Sequence, residues 1–91
     1  MNGIPKETRI YGWMYDIPGL DLRDIFVLAT INSATNEKPI KAYRGTIEDL
    51  AQVINGSTVT AARCLEKLKK AGVIRWGKDT DGVEGYIIIP L

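Results

Sequence analysis

Two apolar stripes of helical period, each opened by a capping residue and separated only by Asn55-Gly56, constrain this chain most. Ile47, Leu50, Ala51 and Ile54 fall at i, i+3, i+4 and i+7, one face of a helix. The helix opens at Thr46, because TIED (Thr46 to Asp49) reads as a capping box with Asp49 a shorter stand-in for glutamate. Asn55 and Gly56 both tolerate left-handed backbone angles, so the helix stops there. Ser57 then caps a further helix in which Ala61, Cys64, Leu65 and Leu68 share a face, and Gly72 supplies its left-handed end. Small residues at Ala51 and Ala61 let the two helices cross closely.

The flanking segments complete the expectation. Asp21 is an N-cap for a helix from Leu22 to about Ala34, with Leu22, Ile25, Phe26 and Ala29 as its buried stripe, widened by Leu28 and Ile31. Asn32, Ser33 and Thr35 weaken the end of that helix. Val73 to Trp76 and Gly85 to Ile89 are β-prone, and Lys78 to Gly82 is turn chemistry, so the pair predicts a hairpin. A short strand over Ile40 to Arg44 is expected to join it in a three-stranded sheet. Turn signals at Pro18-Gly19 and Asn36 to Pro39 separate the units. The order predicts an α+β domain: a winged helix-turn-helix, with a three-helix core, a small antiparallel sheet and a C-terminal β-hairpin wing. One domain spans 1–91, with an aromatic extension over 1–19, the helix-turn-helix over 46–72 and the wing over 73–91.

Composition removes much chemistry. At 91 residues the chain supports one core rather than a two-lobed enzyme. It has no histidine and one cysteine, Cys64, which excludes histidine-based triads, histidine ligands and an internal disulfide. Cys64 lies on the apolar stripe and reads as core. Gly82-Val83-Glu84-Gly85 belongs to the hairpin and is no nucleotide fingerprint. No enzyme, metal or cofactor is expected. The longest apolar run, Ile25 to Ala29, is far shorter than the roughly 18–20 residues of a membrane span, and the mixed polar opening MNGIPKETRI is not a secretory leader. A cytoplasmic protein without membrane contact is expected. The chain ends at Leu91 directly after a strand, which fits a piece of a longer protein.

Charge points to a partner. Net charge is +1, but between Ser57 and Lys78 stand Arg63, Lys67, Lys69, Lys70, Arg75 and Lys78 against Glu66 alone, and the rest of the chain is net acidic. A concentrated basic segment fits a polyanion-facing surface, and a solvated helix face is the plainer reading. In the first reading double-stranded DNA is the partner. Ser57, Thr58, Thr60, Ala62, Arg63, Lys67 and Lys70 on the third helix and Arg75 and Lys78 on the wing are the contact candidates. Arg63 suits bidentate guanine contact, while the lysines supply phosphate attraction. Asp79, Asp81 and Glu84 make the wing tip acidic, which argues against a simple wing contact with DNA and for another partner. Trp76 reads as a sheet-packing residue in preference to a base-stacking platform. Tyr11, Trp13 and Tyr15 are either a self-association patch, giving a dimer, or a lid on the small core.

The segment DLAQVINGSTVTAARCLEKLKKAGVI (Asp49 to Ile74) resembles the winged helix-turn-helix signature: Ser57 seven residues after Leu50, and Leu68 four before Gly72. Gly56 departs from it, since an inward-packing apolar residue usually precedes the capping serine. A wider stretch is similar to the N-terminal domain of phage replisome organisers and plasmid-type replication initiators. The similarity lies in an aromatic opening (Tyr11 to Met14), the entry Gly19 to Leu22, and the entry Tyr43 to Thr46. The resemblance implies binding of origin or fork DNA in replication initiation of a phage, plasmid or mobile element, contacts with other replication proteins, and a homo-oligomer formed through the N-terminal segment. A small transcription regulator and a protein-interaction winged helix are the alternatives.

Overall fold

The computed structural model describes residues 7–35 and 39–89. The turn expected over 36–39 lies, Pro39 apart, outside the described residues, as do residues 1–6 of the N-terminal extension and 90–91 of the wing segment. A short 3-10 helix over Gly12–Asp16 precedes three α-helices, α1 (Leu22–Thr35), α2 (Ile47–Val53) and α3 (Thr58–Lys70). A hairpin of β1 (Ile74–Lys78) and β2 (Glu84–Ile88) follows, and the class is α+β.

Each helix is bounded by the residues expected to bound it. Asp21 and Asp24 exchange bonds at the start of α1: the Asp24 amide donates to the Asp21 carboxylate (3.1 Å) and the Asp21 amide to that of Asp24 (2.9 Å). Thr46 and Asp49 repeat the same reciprocal pattern before α2. The Ser57 hydroxyl accepts from the Thr60 amide at 3.2 Å and caps α3, a contribution of about 1 kcal/mol. Both α2 and α3 close with paired 6→1 and 5→2 bonds around one left-handed residue. In α2 the Gly56 and Asn55 amides donate to Ala51 (2.9 Å) and Gln52 (3.1 Å), with Asn55 at φ 51°. In α3 the Val73 and Gly72 amides donate to Leu68 (3.2 Å) and Lys69 (3.0 Å), with Gly72 at φ 76°.

α1 is the central element, packed by α2, α3, β2 and the 3-10 helix. A single stripe therefore understates it: Val27, Leu28, Ala29, Thr30 and Ile31 are all buried. The buried hydroxyls of Thr30 and Thr35 donate to the carbonyls of Phe26 (2.8 Å) and Ile31 (2.7 Å), so the polar end of the helix is accommodated inside. Leu22 corrects the expected stripe. It stands in the first turn of the helix and is 54% exposed. On α3 the stripe holds as expected, with Ala61, Cys64, Leu65 and Leu68 buried.

The sheet has two strands, not three. The amides that would have built a strand over Ile40 to Arg44 go to three different partners. Lys41 donates to the Thr35 carbonyl (3.2 Å), Ala42 to the Asp79 carboxylate (3.0 Å) and Tyr43 to the Tyr86 carbonyl (2.8 Å). Only the last goes to a strand backbone, and it is a single bond rather than a ladder. The segment nevertheless lies tight against β2, because Gly85 leaves room for it: a Cβ there would sit 2.6 Å from the Tyr43 carbonyl oxygen.

Because backbone, not a flexible side chain, meets that position, Gly85→Ala must push the Tyr43 segment away from β2. The expected cost is about 1–3 kcal/mol, read as a lower urea midpoint with an unchanged slope.

Candidate nucleic-acid interface

Ser57 and the helix behind it decide which side chains face outward. Because Ala61, Cys64, Leu65 and Leu68 turn inward, Thr58, Val59, Arg63, Glu66, Lys69 and Lys70 are exposed, and Thr60, Ala62 and Lys67 are half-buried. The Thr60 hydroxyl is within 3.1 Å of the Ser57 hydroxyl, so these two expected contact residues serve first as the helix cap. Val59 is not among the contacts expected from the sequence. It is 61% exposed on the outer face, one turn before Arg63. Its signal is its phase, since it falls outside the buried stripe. Gly56 is exposed, and a Cβ there would meet the Ile54 side chain at 3.4–3.5 Å, consistent with a forgone inward contact.

The structure divides the basic residues into two groups. Lys67 turns back to α1, where its ammonium bonds the Asp24 carboxylate and lies 3.6 Å from that of Asp21. The Asp24 side chain is only 2% exposed. Its hydrogen bond, ahead of the charges of Asp24 and Asp21, holds the Lys67 ammonium above its ordinary pKa. The Asp21 carboxyl is held below the usual range by the Asp24 amide first, with Lys67 adding to it. Lys67, expected among the DNA contacts, is thus engaged within the fold, where it neutralises a buried carboxylate while its side chain stays 41% exposed. Lys69 pairs with Glu66 at 3.2 Å. Arg63, Lys70, Arg75 and Lys78 are exposed and make no ion pair among the described residues. Cys64, beside Asp24, is pushed up to about 12 by burial and by its hydrogen bond to that carboxylate, so its thiol stays neutral and unreactive.

The acidic wing tip is built differently from the expectation. The Asp79 side chain has no exposed surface. One of its oxygens accepts from the Ala42 amide (3.0 Å), the other from the amides of Asp81 (2.8 Å) and Val83 (3.0 Å). These bonds, that of Ala42 foremost, hold its carboxyl below the usual range, with the Arg44 guanidinium adding to the effect. Asp81 is bonded by the Lys41 ammonium and lies 3.7 Å from Arg44. Two of the three acids are thus matched inside the domain, and Glu84 alone stands exposed without an ion pair among the described residues. The repulsion of DNA expected from Asp79 and Asp81 is correspondingly reduced.

The aromatic residues also divide. Trp13 is half-buried against the core beside the fully buried Met14, whereas Tyr11 (37%) and Tyr15 (60%) are exposed, as are Ile10 and Leu22. Trp76 departs from its expected place inside the sheet packing. It is 57% exposed, with its ring set edge-on to Tyr86 at 5.1 Å and 87°. Beside it runs an open groove of about 530 Å³, bounded by Arg44, Thr46, Leu65, Glu84 and Tyr86. Among the described residues no cluster of three or more acids and cysteines could hold a metal ion, and no helix is long and apolar enough to cross a membrane.

Two outcomes follow from the charge pairs. Lys67→Met is expected to lower stability by about 1–3 kcal/mol, since it leaves the Asp24 carboxylate buried without its cation, whereas Arg63→Ala is expected to stay within about 0.5 kcal/mol of wild type; urea unfolding distinguishes them. Asp79 contributes a pH dependence. Its folded carboxyl titrates below the unfolded one, so its stabilisation is complete above about pH 4 and is lost as pH falls through the folded value. The stability gap between wild type and Asp79→Asn is therefore widest near neutrality and narrows on acidification below about pH 4, measured by urea midpoints across that range.

No family model, curated protein or solved structure matches this chain, so its own chemistry carries the functional reading.

Proposed function

We propose that the protein is a winged helix-turn-helix module that binds double-stranded DNA without catalysis, with α3 in the major groove. The observation that carries this reading is the sorting of charge on α3 and β1. Asp24, Asp79 and Asp81 are tied to Lys67, Arg44 and Lys41, while Arg63, Lys70, Arg75 and Lys78 are left facing water beside the exposed Glu66 and Glu84. A surface that keeps its cations and matches most of its nearby anions within the domain suits a phosphate backbone. The helix order, the turn at Asn55 and the hairpin after α3 support the winged-helix assignment. Within α3, Arg63 is the residue for a guanine edge and Val59 adds an apolar contact suited to a thymine methyl, while Lys70, Arg75 and Lys78 neutralise phosphates. Thr58 and Ala62 stand on the same approach.

The biological setting rests on the resemblance to replisome organisers and replication initiators, and a transcription regulator would use the same contacts. A second reading, that the domain also binds protein, is favoured by the exposed Tyr11, Tyr15 and Leu22 near the N-terminus. In that reading Tyr11 and Tyr15 serve self-association, and Trp13 serves the core.

Anisotropy titration of a random-sequence duplex tests the proposal. With three phosphate-neutralising cations, affinity is expected to fall about 40-fold between roughly 50 and 200 mM salt. Arg63→Glu and Lys70→Glu should each weaken binding, and Lys70→Glu, which removes a phosphate contact, should lower the salt slope by at least about one, with no change in the urea midpoint. Absence of duplex binding at the lower salt, or binding indifferent to both charge reversals, overturns it.

A further inference from the structure

We infer that the groove beside Trp76 is a binding site for an unpaired nucleobase, so that the wing grips a single-stranded tail or opened end next to the duplex held by α3. The inference rests on the nucleic-acid reading for the class of polymer and stands on separate observations for the site.

The ladder register sorts the hairpin's core-side face into three tiers. Ile74 pairs with Ile88 at the core end, Trp76 with Tyr86 in the middle, and Lys78 with Glu84 at the tip. The isoleucines are buried and close the core. The aromatic tier comes next, at the point where the helices no longer cover the sheet. A tryptophan used only for packing would be covered there, yet more than half of Trp76 is exposed to water. Tyr86 fixes its orientation through the edge-on contact without burying it. Trp76 is thus a held ring with open surface, the form a stacking platform takes.

Charge and size identify the occupant. Arg44, whose side chain is 46% exposed although it lies 3.7–3.8 Å from Asp81 and Asp79, lines the same groove as Trp76, and Lys78 stands two residues beyond Trp76 at the hairpin tip, outside that lining. Arg44 within the groove and Lys78 beyond it offer cations to a phosphodiester chain that runs past the ring. Glu84, the carboxylate of the groove, faces Lys78 across the ladder and can accept from a base N–H such as N3–H of thymine. The groove, at about 530 Å³, lies within the size of small-ligand sites and is open along its length. A base on an intact duplex is already stacked and cannot enter, so the site discriminates for unpaired nucleotides. A protein side chain in the same groove is the competing occupant, and the flanking cations favour the polyanion over it.

The experiment compares three probes at low salt: a blunt duplex, the same duplex with an unpaired thymidine tail, and oligothymidylate. A Trp13→Phe background leaves Trp76 as the emitter. Tail and oligothymidylate are expected to quench its fluorescence. Trp76→Ala should weaken binding of both about 5- to 100-fold, leave the blunt duplex within about twofold, and keep the urea midpoint near wild type, while Trp76→Phe retains part of the preference. If the tail adds no affinity, if Trp76 is not quenched, or if Trp76→Ala changes only the oligomeric state, the inference is overturned. If the blunt duplex fails to bind while oligothymidylate still quenches Trp76, the duplex proposal falls and this one stands.

Discussion

Asp24 is a carboxylate with almost no access to water, and the ammonium of Lys67 reaches it from another helix. Much else in the structure depends on that meeting. A buried carboxylate without a cation is strongly unfavourable, so α3 must present Lys67 to the start of α1 in every folded molecule. The same rotation sends Ala61, Cys64, Leu65 and Leu68 into the core. It leaves the opposite flank, with Val59, Arg63 and Lys70, facing solvent. Asp24 also completes the reciprocal cap with Asp21, so one side chain starts α1 and orients α3. The hydrophobic stripe supplies most of the driving force, and the ion pair selects the angle at which it is buried.

Asp79 does for the hairpin what Asp24 does for the helices. Its carboxylate gathers three backbone amides, two from its own turn and one from Ala42. That shapes the loop and draws the segment before α2 onto the sheet, where the missing Cβ of Gly85 admits the Tyr43 backbone. A third strand is lost in the process, because the amides of Lys41, Ala42 and Tyr43 are divided among unlike acceptors. Both aspartates use up negative charge inside the domain. The net effect is a nearly neutral chain whose surface along α3 and β1 is basic.

On the proposed reading, that separation lets one small domain offer two different nucleic-acid contacts. The flank of α3 is rigid, because caps and paired terminal bonds hold both of its ends. It carries short side chains near its start and long cations farther along, the arrangement that suits base edges and phosphates respectively. The Trp76 groove is different in kind, with an aromatic wall and Arg44 in one open lining. The N-terminal aromatics add a third surface, where Met14 and Trp13 anchor the segment and Tyr11 and Tyr15 remain outside.

Interactions between residues close together in the chain are legible in the sequence. The caps at Asp21, Thr46 and Ser57, the left-handed ends at Asn55 and Gly72, the stripe on α3 and the hairpin all arise from groups within a few positions of one another. Helical period and turn chemistry report such groups directly. The exposed Val59 is legible in the same way, by its phase, although a search for polar contact residues does not select it. Leu22, Trp76 and the strand over Ile40 to Arg44 depart from expectation, because apolar character and β-propensity do not say whether a neighbour arrives to cover or pair them. The fate of the charges that pair across the fold lies beyond sequence reading, unlike the Glu66–Lys69 pair three positions apart. Lys67 meets Asp24, and Lys41 meets Asp81, across long stretches of chain. Sequence by itself determined where the helices begin and that a hairpin follows them, since caps and turns are settled by local hydrogen bonds, although β1 runs on to Lys78, a residue expected in the turn. Only the tertiary structure decided which cations face solvent, because burial and through-space pairing exist only once distant segments pack together.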